Sequence, residues 1–150
     1  METYGFQAQI TRVAPVGVVP DGLRIDVGFA GSMSDGPLTG SPIEGVDYLL
    51  IRADGIGVIE AREYVVVEGG GALSLRVDGY IVPPFPMPPL EALLDPAFEW
   101  PDADLPLHGA ARMSTASAQL AAVNQNVYAF NGAVNMARGS LVVAGRRIAG

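Results

Sequence analysis

Apolar and polar positions alternate along much of the chain, in short stretches separated by glycine and proline. Leu23, Ile25, Val27 and Phe29 alternate with Arg24, Asp26 and Gly28, the period-two pattern of a strand with one buried face. Phe6 to Ala14 alternates ahead of it. Val46 to Arg52 follows and runs into Ala53-Asp54-Gly55. An Asp-Gly step between two apolar runs is a strong hairpin signal, because glycine accepts the positive φ that such tight turns need. Ile56 to Glu68 predicts a long strand, Gly69-Gly70-Gly71 a second turn, and Ala72 to Val82 the returning strand. Leu107 to Thr115, Asn126 to Phe130 and Ser140 to Ile148 predict three more. Ser117 to Val123 is the one helical candidate: Thr115 or Ser117 stands where a cap is needed, and Leu120 and Val123 share a face.

The interval 83–106 has a different texture. Eight of the twelve prolines fall there, among Phe85, Met87, Phe98 and Trp100. Proline cannot donate to a sheet ladder, so a central strand is excluded. The segment is too apolar for a disordered linker. The segment is expected to cover one end of the fold, either lining a ligand pocket or plugging a core. Many short strands with almost no helix predict an all-β, antiparallel barrel with at most one short helix. A closed barrel is favoured over a sandwich because residues 43–82 form a hairpin meander and closure removes exposed edges. At 150 residues the chain makes a single domain, 1–150.

Composition narrows the chemistry. There is no cysteine, which removes disulfides, thiolate metal sites and cysteine nucleophiles. All nine basic residues are arginines, so lysine Schiff bases and a P-loop lysine are excluded. His108 is the only histidine, too few for a histidine-rich metal site. The net charge of −7 and scattered arginines make a poor nucleic-acid surface. The apolar fraction is 49%, yet no run is long enough for a membrane helix. Met1-Glu2-Thr3-Tyr4 has no basic leader, so no signal peptide is expected and a cytoplasmic location is the default. Gly55-Ile56-Gly57 lacks the third glycine and the helix of a dinucleotide site. Asp102-Ala103-Asp104 is too short for a calcium loop. Neither a cofactor nor a metal is expected, nor a nucleic-acid or membrane partner.

An ordered set of short motifs carries a family resemblance. Gly45-Val46-Asp47-Tyr48, Arg52-Ala53-Asp54-Gly55, Glu60-Ala61-Arg62 and Gly71-Ala72-Leu73 follow one another at the spacing of G-A-D-W, R-x-D-G, D-A-R and D-G-A-L. Asp35-Gly36-Pro37-Leu38-Thr39-Gly40 resembles an upstream E-G-P-x-L-x-G turn, one residue shorter. Arg112-Met113, Val123-Asn124 and Gly132 stand where R-F, L-N and a later glycine occur. Over most of residues 23–148 the chain thus resembles the family called domain of unknown function 3237. Tyr48 departs from its tryptophan, Glu60 from its aspartate, and Ser114 falls where glutamate is common. The resemblance implies a small antiparallel β-barrel. It also implies kinship with cofactor-free cyclases of natural-product pathways, some of which add a hydroxyl across an activated alkene.

Glu60, Arg62 and Tyr64 alternate with Ile59, Ala61, Glu63 and Val65, so the first three share one face of a strand. Asp47 lies on the strand before, across the Asp54-Gly55 turn. If that face looks into a lumen, carboxylates, a cation and a phenol meet there. Asp47 or Glu60 would remove a proton, Arg62 would polarise a carbonyl and Tyr64 would return a proton. If the face looks outward, the same residues are a charged pattern on the exterior, and Asp47 has a rival role as a turn anchor. Tyr48, Asn126, Phe98, Trp100 and His108 are the candidate substrate-binding residues. Asn124 reads as a left-handed helix C-cap or, with Asn126, as a group that orients a substrate carbonyl, and His108 as a proton shuttle or a polar strand start. The expected function is a cofactor-independent cyclase of a hydrophobic, polyketide-like small molecule. The alternatives are a non-catalytic small-molecule carrier and a structural oligomeric barrel. A homo-oligomer, first of all a dimer, is the expected assembly.

Overall fold

The computed structural model of the protein describes residues 1–148. Eight antiparallel strands close into a barrel in simple up-and-down order: β1 Thr3–Val19, β2 Gly22–Asp35, β3 Pro42–Ile51, β4 Gly57–Val66, β5 Ala72–Ile81, β6 Leu105–Thr115, β7 Val127–Asn135 and β8 Ser140–Arg147. Each strand pairs with its neighbours in sequence, and β1 closes the circle on β8 through Thr3–Gln9 against Arg146–Ser140. All eight strands expected from alternation are present, and β1, β2, β3, β6 and β7 run longer than expected. Pro106 is the one proline of the 83–106 interval inside a strand: it lies in β6 on the outer face, opposite Ala133.

The turns follow local chemistry. At Ala53–Gly55, Gly55 has φ +85°, Arg52 accepts its N–H at 2.9 Å, and the Asp54 carboxylate accepts the Ile56 N–H at 3.1 Å. The helical candidate is a 3₁₀ helix, Ala118–Gln125, and a second 3₁₀ turn, Leu90–Leu94, sits in the proline-rich cover. Asn124 is not a left-handed cap, because every positive-φ residue among those described is glycine. Instead it brackets Thr115, accepting that residue's N–H at 2.9 Å and donating to its carbonyl at 3.0 Å. No helix among the described residues is long and apolar enough to cross a membrane.

Alternation places Leu23, Ile25, Val27 and Phe29 of β2 inside with Ile59, Ala61 and Val65 of β4 and Leu73, Leu75 and Val77 of β5. Phe6 and Phe29 lie parallel with centroids 6.0 Å apart, and Tyr4 meets Tyr128 edge-on at 5.8 Å. One barrel end is closed by the Ala118–Gln125 turn, whose Val123 is fully buried. The other end carries the segment between β5 and β6. Phe85 and Trp100 pack on the main core, while Leu90 and Leu93 pack on Leu23, Ile25, Val27, Leu49 and Ile51. The cover is fastened to the β7–β8 turn. Asp102 accepts two hydrogen bonds from the Arg138 guanidinium at 2.8 and 2.9 Å, and a third from Asn135 at 2.8 Å.

Candidate functional site

Strand β4 decides which side chains reach the lumen. Its buried face is Gly57, Ile59, Ala61, Glu63 and Val65, and its exposed face includes Glu60, Arg62 and Tyr64. The expectation that these last three point inward is therefore corrected: they stand on the outer wall, with Tyr64 49% exposed. The cause is elementary. A strand must turn its more apolar side to the core, and here that side is the one holding Ile59, Ala61 and Val65. Glu63 goes in with them, at 7% exposure.

Asp47 is the one member of the expected catalytic set on the inner side. It is half-buried, opposite Ala61 on β4 and Val27 on β2, and its carboxylate accepts the Glu60 N–H at 3.0 Å. Glu63 lies opposite Gly45 on β3, one diagonal step from Asp47 on the same inner face. Gly45 makes the room: a Cβ there would fall 2.7 Å from the Phe29 ring and 3.0 Å from the Glu63 Cγ. Tyr4 of β1 enters the same lumen. Its ring occupies the space over Gly145, where a Cβ would fall 2.2 Å from the Tyr4 Cε1.

These three polar groups line a cavity of about 70 Å³ whose other walls include Phe6, Phe29, Leu49, Ile59, Val77 and Phe130. That is several times the roughly 10–15 Å³ one water molecule needs. A second chamber of about 30 Å³ lies beneath the cover, lined by Met87 and Trp100, and shares Val27, Leu49, Ile81, Val134 and Met136 with the first.

The apolar walls set the protonation of the acids. Burial, reinforced by the Asp47 charge, pushes the Glu63 carboxyl up to about 8, so it is neutral at pH 7. Its Oε1 has no hydrogen-bond partner. Burial pushes Asp47 up to about 6, partly offset by the Glu60 N–H that it accepts. Near neutral pH the lumen thus holds one ionised and one protonated carboxyl. A pair of carboxyls held apart in this way has the chemistry of one base and one acid. Burial, and then the Glu63 charge, raises the Tyr4 phenol, which stays protonated.

The expected binding residues are dispersed. Tyr48 is 41% exposed on the outer wall. With Arg12, Arg62 and Tyr64 it borders an open depression, where carboxylates would keep their hydration. His108 is on the outer face beside Tyr80, centroids 6.1 Å apart. Asn126 caps the Ala118–Gln125 turn, donating to the Ala122 carbonyl at 2.9 Å. Trp100 alone of this group lines a chamber, and half-buried Phe98 meets it edge-on at 5.3 Å. Sequence reading missed Glu63 and Tyr4. The signal for Glu63 was a single acid on an otherwise apolar face. For Tyr4 it was the alternation Tyr4, Phe6, Ala8, Ile10, which begins one step before the expected strand.

No family model and no curated protein matches the chain. Solved structures do. A β-barrel-like protein from Acinetobacter baumannii superposes with TM-score 0.72 at 18% identity, over 96% of this chain and 91% of that one. A conserved protein of unknown function from Rhodopseudomonas palustris gives 0.70 at 18% identity, over 98% and 95%. A protein of unknown function from Clostridium acetobutylicum gives 0.75 at 15% identity, over 99% and 100%. The chain is similar to these three in fold, over nearly its whole length.

Proposed function

We propose that the protein is a cofactor-independent acid–base catalyst for a hydrophobic small molecule bound in the lumen, and that its reaction is ring closure by intramolecular addition. The unpartnered, buried Glu63 carboxyl facing Asp47's side of the lumen carries this reading. A buried polar group with no partner costs roughly 1–3 kcal/mol, so a ligand acceptor that engages it recovers that cost. In the reaction, the Asp47 carboxylate takes the proton of a substrate hydroxyl as its oxygen attacks an alkene carbon conjugated to a carbonyl. The carbon–carbon double bond shifts to the enolate, whose oxygen Glu63 hydrogen-bonds. Glu63 gives its proton to the enolate, and the proton on Asp47 returns to Glu63 through solvent or product exchange. Net, one O–H bond is added across one C=C bond. Apolar walls hold the chain folded, which converts the addition into an oriented unimolecular step. The motif resemblance to a family with cofactor-free cyclases supports the same chemistry. Proton removal, first given to Asp47 or Glu60, stays with Asp47, and the roles first given to Arg62 and Tyr64 fall to Glu63.

A substrate of polyketide size exceeds the free volume, so it enters with the 83–104 cover displaced and the two chambers joined. Met136, an unbranched and adaptable side chain, lines both chambers. The test uses cyclohexanone as a probe. Binding is followed by ligand-observed NMR, and turnover by exchange of its α-protons in deuterated water. Acceleration is expected with a bell-shaped pH profile, its limbs near 6 and 8, lost in Asp47→Asn and Glu63→Gln. Binding without acceleration identifies a carrier instead. No binding contradicts the lumen site.

A further inference from the structure

The outer wall of β4, β5 and β6 carries a charge arrangement that an isolated barrel does not want. Register places Arg62 opposite Arg76, and Arg76 opposite Arg112, so three arginines stand in one row across three strands. One step along the strands, Glu60 stands opposite Asp78. All five side chains are exposed, and none makes an ion pair among the described residues. Like charges directly opposite on a sheet repel, and here both rows are built of like charges. Alternating them would have cost nothing in composition.

The two rows are complementary to each other, and their geometry has a consequence for a second copy of the chain. Consider a two-fold axis lying in the plane of contact, perpendicular to the strands and midway between the rows. Rotation about it turns a second barrel face-on and exchanges the rows. Arg62 then meets the partner's Glu60, and Arg76 meets the partner's Asp78, each pair occurring twice. The same operation sets the row of Tyr64, Ser74 and Ser114 against the partner's row of Val58, Tyr80 and His108. Tyr64 and Tyr80, both exposed in the single barrel at 49% and 44%, lie within the covered face. A patch that is self-complementary under a two-fold rotation is what an isologous dimer requires.

We propose that the outer face of β4–β6 is the interface of a homodimer, held by the Arg62–Glu60 and Arg76–Asp78 pairs across the two-fold axis. Charge complementarity selects a second copy over a small anion. The arginine row is flanked by acids that repel an anion and attract another arginine row. The dimer also removes the like-charge conflict within each copy.

Sedimentation equilibrium of the whole chain, at low and high salt, tests this. A dimer is expected at low salt, weakened as salt rises. Arg62→Glu sets acid against acid and should weaken association by roughly tenfold or more. The double variant Glu60→Arg/Arg62→Glu restores opposite charges across the axis and should restore the dimer, with unchanged circular dichroism confirming the fold in each case. A monomeric parent overturns the proposal. So does a dimer that Arg62→Glu leaves intact, because another face then holds it. Failure of the double variant to recover association overturns the pairing as well.

Discussion

Gly45 stands directly opposite Glu63 on neighbouring strands, and the volume its missing side chain leaves is the volume that the Glu63 carboxyl arm and the Phe29 ring fill. A glycine in the middle of a strand ordinarily weakens it. Here it keeps an acid within the lumen. Gly45→Ala would put a Cβ 2.7 Å from both the Phe29 Cζ and the Arg62 carbonyl oxygen. Overpacking of this kind costs about 1–3 kcal/mol. Urea unfolding should show that loss, together with weaker binding of cyclohexanone.

Glu63 makes stability depend on pH in an unusual direction. Its folded value of about 8 lies above its ordinary 4.5, so the native state holds a proton that the unfolded chain releases. Below 4.5 both states are protonated and the group is neutral in effect. Between 4.5 and 8 the unfolded state binds fewer protons, and stability falls by about 1.4 kcal/mol per pH unit from this group. Above 8 the full loss has been reached. Asp47 adds to the same trend between its ordinary 3.8 and about 6. Glu63→Gln should flatten the dependence. Its unfolding free energy relative to the parent should rise steadily from pH 5 to pH 8, by roughly 1 kcal/mol or more per unit.

The Asp47 carboxylate accepts the Glu60 N–H, and in the proposed reaction it is also the base. The two roles separate by substitution below pH 6, where Asp47 itself is largely neutral. Asp47→Asn keeps an acceptor and should unfold within a few tenths of a kcal/mol of the parent. Asp47→Ala leaves the N–H without that partner and should lose about 1–3 kcal/mol. Near pH 7, where the parent's Asp47 is ionised, both should abolish α-proton exchange equally, because neither offers a base.

Asp102 ties the cover to Arg138 and Asn135. The guanidinium beside it holds its carboxyl below the ordinary range. Arg138→Ala removes two of the three hydrogen bonds to Asp102 and leaves Asn135 to hold the β5–β6 segment, which loosens it. Limited proteolysis should then cut within 83–104 several-fold faster than in the parent, with cleavage elsewhere unchanged. The same acceleration in the parent is expected on acidification, as Asp102 protonates and the clasp lets go.

Strand positions, turns and barrel closure were legible from alternation and from the residues between the runs. Asp54-Gly55 and the triple glycine mark hairpins because their backbones need positive φ, and both do so in the fold. The phase of β4 was harder. Period two defines two faces without saying which is inside, and the family resemblance at Glu60-Ala61-Arg62 points to the polar one. The area rule favours the other: Ile59, Ala61 and Val65 bury apolar surface, and Glu63 follows because it is two residues from each neighbour on that side. Tyr4 was hidden because the first strand starts three residues earlier than its strongest alternation. The clasp between Asp102 and Arg138 joins residues 36 positions apart, a distance over which local pattern carries no signal. The row of arginines is likewise visible only once register is known, since Arg62, Arg76 and Arg112 have no shared spacing along the chain.

The proposed chemistry stands on Glu63 being a protonated acid at neutral pH inside an apolar lumen. Carbon-detected NMR of the side-chain carboxyls, titrated across neutral pH and assigned by the signal lost in Glu63→Gln, measures this directly. The resonance is expected to move with a midpoint near 8, well above the ordinary 4.5 of a glutamate. A midpoint near 4.5 would mean that the carboxyl is hydrated and ionised, and the lumen would then hold no acid to give a proton.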